Sequence, residues 1–305
     1  MVNNPLKLTG RSVDVNKQTV EWLQQTLTVI VLYKTVLVES VTFQSLTRAV
    51  RSYHLAEPLD LLICDNSPTA DSNFEQVNEE GLFRLYYLHD PLNPGVSRSY
   101  NRAAELATVQ NKRWLFLLDQ DTGLPEDAFS RYKRAITTHP NSPLYAPKVC
   151  SGALLFSPCR YWFRRGSNLP AIEPGIHTMA HRNVLNSGLL VNLAAYDKAG
   201  GYNETVQLYF SDYVFFDRLK KHFRQFVVVD CRLEHQLSSA DFSNVALASI
   251  RFDLYCRGAR QAGYGSVWAN VEYSITVGLR SLLMSYRFKS TQFVKSFVKN
   301  FLFNQ

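Results

Sequence analysis

Apolar residues gather into four short runs within the first 122 positions, and each run closes on polar or acidic residues: "LTVIVLY" (27–33), "LDLLICDNS" (59–67), "LFRLYYLHD" (82–90) and "RWLFLLDQDT" (113–122). Runs of this length, rich in β-branched and aromatic residues and mostly lacking polar alternation, predict strands covered on both faces. Val38, Val41, Phe43 and Leu46 follow the first run at helical spacing. After the third, Asn93, Pro94 and Gly95 make a turn, and Ser97 can cap the helix predicted over "NPGVSRSYNRAAELA". Alternating strands and helices predict a mostly parallel sheet with right-handed crossovers.

Beyond Pro125 the pattern changes. Shorter strands, "LYAPKV", "GALLFS" and "SGLLVN", are separated by Pro and Gly, which predicts a mixed or antiparallel extension of the sheet. "YFSDYVFFDRLKKHF" (209–223) predicts a helix, "QFVVVD" a strand and "LEHQLS" a loop, and from Ser243 onward the chain reads as helical and basic. The expected fold class is α/β, a mostly parallel central sheet with helices on both faces plus a C-terminal helical segment. The expected organisation is an N-terminal extension over 1–26, an α/β domain over 27–240 and a basic amphipathic helical region over 241–305.

A content of 46% hydrophobic and 19% charged residues over 305 positions is that of a globular chain with a substantial core. Five cysteines form no Cys-x-x-Cys pair, and their odd number argues against a disulfide framework and for a reducing, cytosolic setting. No apolar run reaches the roughly 20 residues that span a bilayer. The stretch "MVNNPLKLTGRSVDVNKQ" lacks the layout of a signal peptide. Charge is uneven: Arg251 to Gln305 holds eight Lys or Arg against Asp253 and Glu272, a net of +6 out of the chain's +7. That asymmetry points to a polyanionic partner, nucleic acid or anionic lipid. Phe293, Phe297 and Phe301 recur every four residues, with Lys295, Lys299, Gln292 and Ser296 opposite. Such a helix either packs its apolar face on the α/β domain or enters an anionic membrane surface.

The chemistry gathers at strand ends. Asp65 closes the second run, and Asp119 and Asp121 close the fourth, so parallel topology sets them along one rim, where open α/β sheets bind ligands. An isolated Asp-x-Asp also fits a solvated turn before the helix start at Pro125 and Glu126. Neither G-x-G-x-x-G nor G-x-x-x-x-G-K occurs, which disfavours a dinucleotide enzyme and a P-loop NTPase. Two carboxylates with a further oxygen or imidazole suit Mg²⁺ or Mn²⁺, which bridges protein oxygens to a diphosphate.

In their order and spacing, "VIVLYK", "CDNS", "NPGVSRSYN", "LLDQDT", "NSGLLVN", "GGYNE" and "YFSDYVFFDR" resemble the family 2 inverting glycosyltransferases of the GT-A fold. The "LDQDT" form is most similar to the rhamnosyltransferase subgroup that builds bacterial surface polysaccharides such as O antigen. The resemblance covers about residue 27 to about 260. It implies metal-dependent transfer of a sugar from a nucleotide-diphosphate donor to a saccharide or a polyprenyl-diphosphate-linked saccharide, with 27–240 as the nucleotide-sugar-binding and catalytic domain. Together with the basic, Phe-bearing C-terminal helix and the unpaired cysteines, it predicts a cytoplasmic protein attached peripherally, through an anionic membrane surface, to the inner face of a bacterial inner membrane.

Residue by residue, the resemblance implies that Asp65 accepts a hydrogen bond from the pyrimidine, Asp119 reaches the ribose and Asp121 ligates the metal. Asn93, Gly95 and Asn101 match the nucleotide segment, or else form a tight turn and helix start. Asp212 matches the catalytic base, although Ser211 stands where many members have Glu; alternatively it stabilises its helix N-terminus. His235 is a metal or diphosphate ligand or a structural histidine. Gly188 permits close approach to the sugar on the acceptor side or fits a strand junction. Asp217 reads as solvated or salt-bridged.

Two rival classes fit less well. A haloacid-dehalogenase-like phosphatase carries its Asp-x-Asp after the first strand, whereas three strands precede it here, and Gly123 replaces the expected Thr or Val. A nucleic-acid-binding protein accounts for the basic segment, but nothing matches an RRM, KH or zinc module, and no nucleic acid is expected as a partner.

Overall fold

Thr26–Leu32 (β1) and Leu59–Asp65 (β2) are buried along their whole length, Phe83–His89 (β3) is more exposed, and Trp114–Asp119 (β4) is buried as far as Leu118. In β1 and β4 successive side chains enter opposite cores. Val29, Val31, Leu115 and Leu117 join one, and Ile30, Leu32, Phe116 and Leu118 the other. This is why these strands show no polar alternation. The structure is a computed structural model and describes residues 22–78, 80–235 and 245–303.

Helices cover both faces, as expected. Val41–Tyr53 (α1) packs on one face, Val96–Val109 (α2) on the other, and Ala128–Thr138 (α3) beside α1. Leu193–Lys198 (α4) and Ser211–Lys220 (α5) lie on the α2 side. Two helix starts differ from the sequence reading. Ser40 caps α1 by accepting the Phe43 N–H, which leaves Val38 in a preceding 3₁₀ turn and 54% exposed. Ser97 lies inside α2, buried, and its hydroxyl donates to the Val206 carbonyl at 2.5 Å instead of capping.

After β4 most strands are short, β6 and β13 excepted: Thr122–Gly123 (β5), Leu144–Ser151 (β6), Leu154–Ser157 (β7), Cys159–Trp162 (β8), Arg165–Ser167 (β9), Gly175–Thr178 (β10), Arg182–Asn183 (β11), Leu189–Asn192 (β12) and Gln225–His235 (β13). β3-β2-β1-β4 form a parallel set, which β12 continues in antiparallel sense. β6 and β13 then pair in parallel, with β10 at the edge, while β11-β8-β9 make a separate small sheet. β13 runs on to His235, so Leu233–His235 is strand and not loop. β6 pairs with Leu233 and Glu234 on one side, and the two-residue β5 lies on the other, Glu234 opposite Gly123 and His235 opposite Thr122. The rest of the expected loop, the 240/241 boundary and most of the N-terminal extension lie outside the described residues.

Val245–Gly263 (α6), Val267–Phe288 (α7) and Gln292–Phe297 (α8), with the π turn Val298–Leu302, build a third core with Val206 and Phe210. Phe293 and Phe301 are fully buried in it and Phe297 packs against it. Ser296 and Asn300 are buried too, and both donate to Asp253. The expectation that this Phe face meets a membrane, with Ser296 turned to solvent, is therefore corrected. α6 and α7 fill the face, and a period alone does not distinguish protein from lipid as the apolar neighbour. Among the described residues no helix is long and apolar enough to cross a membrane.

Candidate active site

Asp65 ends β2 almost completely buried. Its Oδ1 accepts the Ser67 N–H at 2.9 Å, and its Oδ2 accepts the Tyr87 hydroxyl at 2.5 Å and the Asp71 N–H at 3.3 Å. Burial pushes its pKa up, but the hydrogen bonds from Ser67 and Tyr87 outweigh that and hold the carboxyl below its ordinary range. Neighbouring loops are tied to the same group: Asp71 accepts the Leu37 N–H, and Ser67 accepts the Lys34 N–H.

Across β1, Asp65 stands opposite Leu32 and Asp119 opposite Val31. Two strand spacings, roughly 10 Å, therefore separate the two backbones. Both oxygens of Asp119 accept hydroxyls, Oδ1 from Tyr100 at 2.9 Å and Oδ2 from Ser187. Gln120 locks the turn between the two aspartates, its Oε1 accepting the Tyr33 N–H at 2.7 Å and its carbonyl accepting the Ser40 hydroxyl at 2.8 Å.

Asp121 faces His235, with Oδ1 3.4 Å from Nδ1, and the Thr122 hydroxyl lies 3.0 Å from the same nitrogen. Burial raises the Asp121 pKa and so does the charge of Asp119, while His235 opposes both. Among the described residues, no three His, Cys, Asp or Glu side chains cluster as metal ligands. One carboxylate with one imidazole still fits Mg²⁺ or Mn²⁺, because such ions keep several waters and take substrate phosphate oxygens to complete their shell.

Asp212 occupies the first turn of α5, half-buried. Burial pushes its carboxyl up to about 7; the Tyr213 N–H, donating at 2.8 Å, pulls down, and the negative charge of Asp119 adds to the rise. α5 is aimed by the C-terminal helices. Its N-cap Phe210 is left-handed at φ 72, and the Phe210 ring packs 4.7 Å from Tyr255 and 5.2 Å from Tyr273. α6 comes so close that a Cβ on Gly258 would lie 2.7 Å from the Tyr209 carbonyl oxygen. Asp217 is salt-bridged, as expected, to Arg164 and Lys220 at 2.8 Å each.

The rim thus brings together Asp65, Asp119, Asp121, Asp212 and His235, while the remaining sequence candidates shape backbone. Asn93 is a left-handed turn residue at φ 49. Gly95, at φ 88, lets Gln207 pass so closely that a Cβ would meet its carbonyl oxygen at 2.3 Å. Val96 N–H donates to that carbonyl at 2.9 Å. Asn101 accepts from the Tyr196 hydroxyl and the Tyr202 N–H and donates to the Tyr202 carbonyl and Glu204, which engages its full capacity. Gly188 fits a strand junction, with Leu233 and Pro147 2.3 and 2.7 Å from where a Cβ would stand. The residues missed are Tyr87, Tyr100 and Ser187. The last two lie inside the quoted motifs "NPGVSRSYN" and "NSGLLVN", beside the residues singled out.

No family model matches the chain, and no curated protein does. Solved structures are similar to it. S. aureus TarS 1-349 superposes with a TM-score of 0.52 at 12% identity, covering 89% of this chain and 80% of that one. TarS 1-349 in complex with UDP-GlcNAc gives 0.51 at 12% identity, covering 89% of each chain. The complex with UDP gives 0.51 at 13%, again 89% of each. At these identities the likeness shows the fold, a GT-A-type α/β arrangement with C-terminal helices.

Proposed function

We propose that this chain is an inverting glycosyltransferase using a nucleotide-diphosphate sugar. The observation that carries the reading is Asp212, a half-buried carboxyl raised to about 7 by burial and by the charge of Asp119, which acts on Asp121 as well. A base poised near neutral pH takes a proton efficiently and still ionises. The TarS complexes with UDP and UDP-GlcNAc support a nucleotide-sugar donor on this fold.

Asp65 receives the base and Asp119 the ribose; each carboxylate keeps lone pairs beyond those its neighbours occupy. Asp121 and His235 would hold Mg²⁺ or Mn²⁺, which when bound offsets the diphosphate charge. Asp212 takes the proton of the acceptor hydroxyl, whose oxygen pair forms the new bond to the anomeric carbon. The nucleoside diphosphate leaves with its bonding pair from the opposite face, which inverts the centre. Within this reading the sugar is a hexose such as rhamnose, and the acceptor is a growing polyprenyl-diphosphate-linked saccharide of a bacterial surface polysaccharide, O antigen for example. Both rest on the sequence resemblance, as does placement at the inner face of the inner membrane.

The test is release of nucleoside diphosphate from a panel of nucleotide sugars by the purified protein, with Mn²⁺ and with EDTA. Sugar transfer dependent on an acceptor supports the reading. Phosphomonoester hydrolysis without an acceptor overturns it in favour of a phosphatase.

A further inference from the structure

Among the described residues, one face of α7 lacks a protein neighbour. Trp268, Val271, Ile275, Leu279, Leu282 and Tyr286 follow one another at spacings of three and four and are 81, 45, 46, 59, 59 and 88% exposed. The opposite face, Ala269, Tyr273, Val277 and Ser281, is buried in the third core. The outward stripe runs about 27 Å along the helix. Single exposed apolar side chains are ordinary on a protein surface, but a continuous stripe marks a docking surface.

Its charge surroundings identify the occupant. The single acid of α7, Glu272, is bound to Arg164 at 2.7 Å. Lys289 closes α7, and Lys295 and Lys299 are exposed on the helix that follows it, while Arg280 turns the other way, over the Tyr255 ring of α6. From Ser281 to Gln305 there are four Lys or Arg and no acid. A second copy of the chain brings the same basic, acid-free surface and no complement to it, whereas a leaflet of anionic lipid offers both an apolar boundary and negative headgroups. We propose that this face of α7 seats the protein on an anionic lipid surface, the stripe entering the boundary between headgroups and acyl chains and the basic residues meeting the headgroups. The site differs from the one the sequence pattern suggested, because the Phe face of α8 is filled from within. It is independent of the donor site.

The experiment is co-sedimentation of the full chain with phosphatidylglycerol/phosphatidylcholine vesicles and with phosphatidylcholine alone, at low and high salt. Binding is expected to the anionic vesicles and to weaken with salt. I275D/L279D should lower it by at least about tenfold, since two charges then enter the apolar boundary. K295Q/K299Q should lower it about ten- to thirtyfold and flatten the salt dependence. Because all four side chains point into solvent, thermal unfolding of both variants should match the parent. Equal binding to both vesicle types, or undiminished binding by I275D/L279D, overturns the proposal. So does a wild-type dimer that I275D/L279D converts to monomers, which would make a second copy the occupant.

Discussion

His235 lies 3.4 Å from Asp121 because β13 extends far enough to pair with Thr122–Gly123. If this pair holds the cation, Asp121→Asn should abolish nearly all turnover and most metal-dependent donor binding, as it removes the anionic ligand and keeps the shape. The fold should survive. The raised pKa of Asp121 means that its ionised form opposes folding, so the amide should melt no lower at neutral pH. Turnover in EDTA equal to that in Mn²⁺ would remove the metal from the reading.

Asp212 sets a pH profile. As a base it must be ionised, so turnover should climb about tenfold per unit up to about 7 and then level off. The stability effect has the opposite sense. A carboxyl raised in the fold is best tolerated when protonated, so its contribution favours folding least above about 7, and stability falls as pH rises from the ordinary value toward it. Asp212→Asn should therefore lower turnover by roughly 10² to 10⁴ while melting at or above the parent at pH 8. Normal turnover with a lower melting temperature would identify Asp212 as a helix-end residue.

Much of this arrangement is readable from the chain, and the exceptions have physical reasons. β1, β2 and β4 are legible because burial on both faces leaves unbroken apolar runs, and their acidic ends follow from parallel topology. The strand character of His235 is not legible, since its two-residue partner β5 has no periodicity to read. Ser187 is a lone serine in the sequence and gains its role only when β12 is laid beside β4. The outward stripe of α7 is masked because its inward face is largely apolar as well, so the helix lacks a clear polar side.

Asp119 is held by two hydroxyls, and each can be removed alone. Ser187→Ala should raise the donor KM severalfold with a smaller change in kcat, because a hydrogen bond to a charged group contributes about 1.5–3 kcal/mol and here orients a binding residue. Steady-state kinetics with a nucleotide sugar checks this. A fall confined to kcat would move Asp119 from binding into the chemical step.

Gly258 tests whether the C-terminal helices aim Asp212. Alanine there places a methyl 2.7 Å from the Tyr209 carbonyl oxygen, so α6 and α5 must separate. Stability should fall by about 1–3 kcal/mol and kcat should fall more than donor affinity. Thermal melts and donor-binding titrations on the same preparation separate the two effects. Unchanged kcat in the folded variant would detach α6 from catalysis.

The contact of Phe210 with Tyr255 and Tyr273 also bears on how such chains diversify. A left-handed phenylalanine two residues before Asp212 is kept in place by rings from α6 and α7, so the tail of the chain and the start of α5 share one packing solution. Exchanging that tail for another, as a modular anchor could be exchanged, would re-aim α5 at the same time. Chimeras joined near residue 244 should need matched substitutions at Phe210 and Tyr209 before they turn over. Lineages that change α6 or α7 are correspondingly expected to change both sides of this seam together.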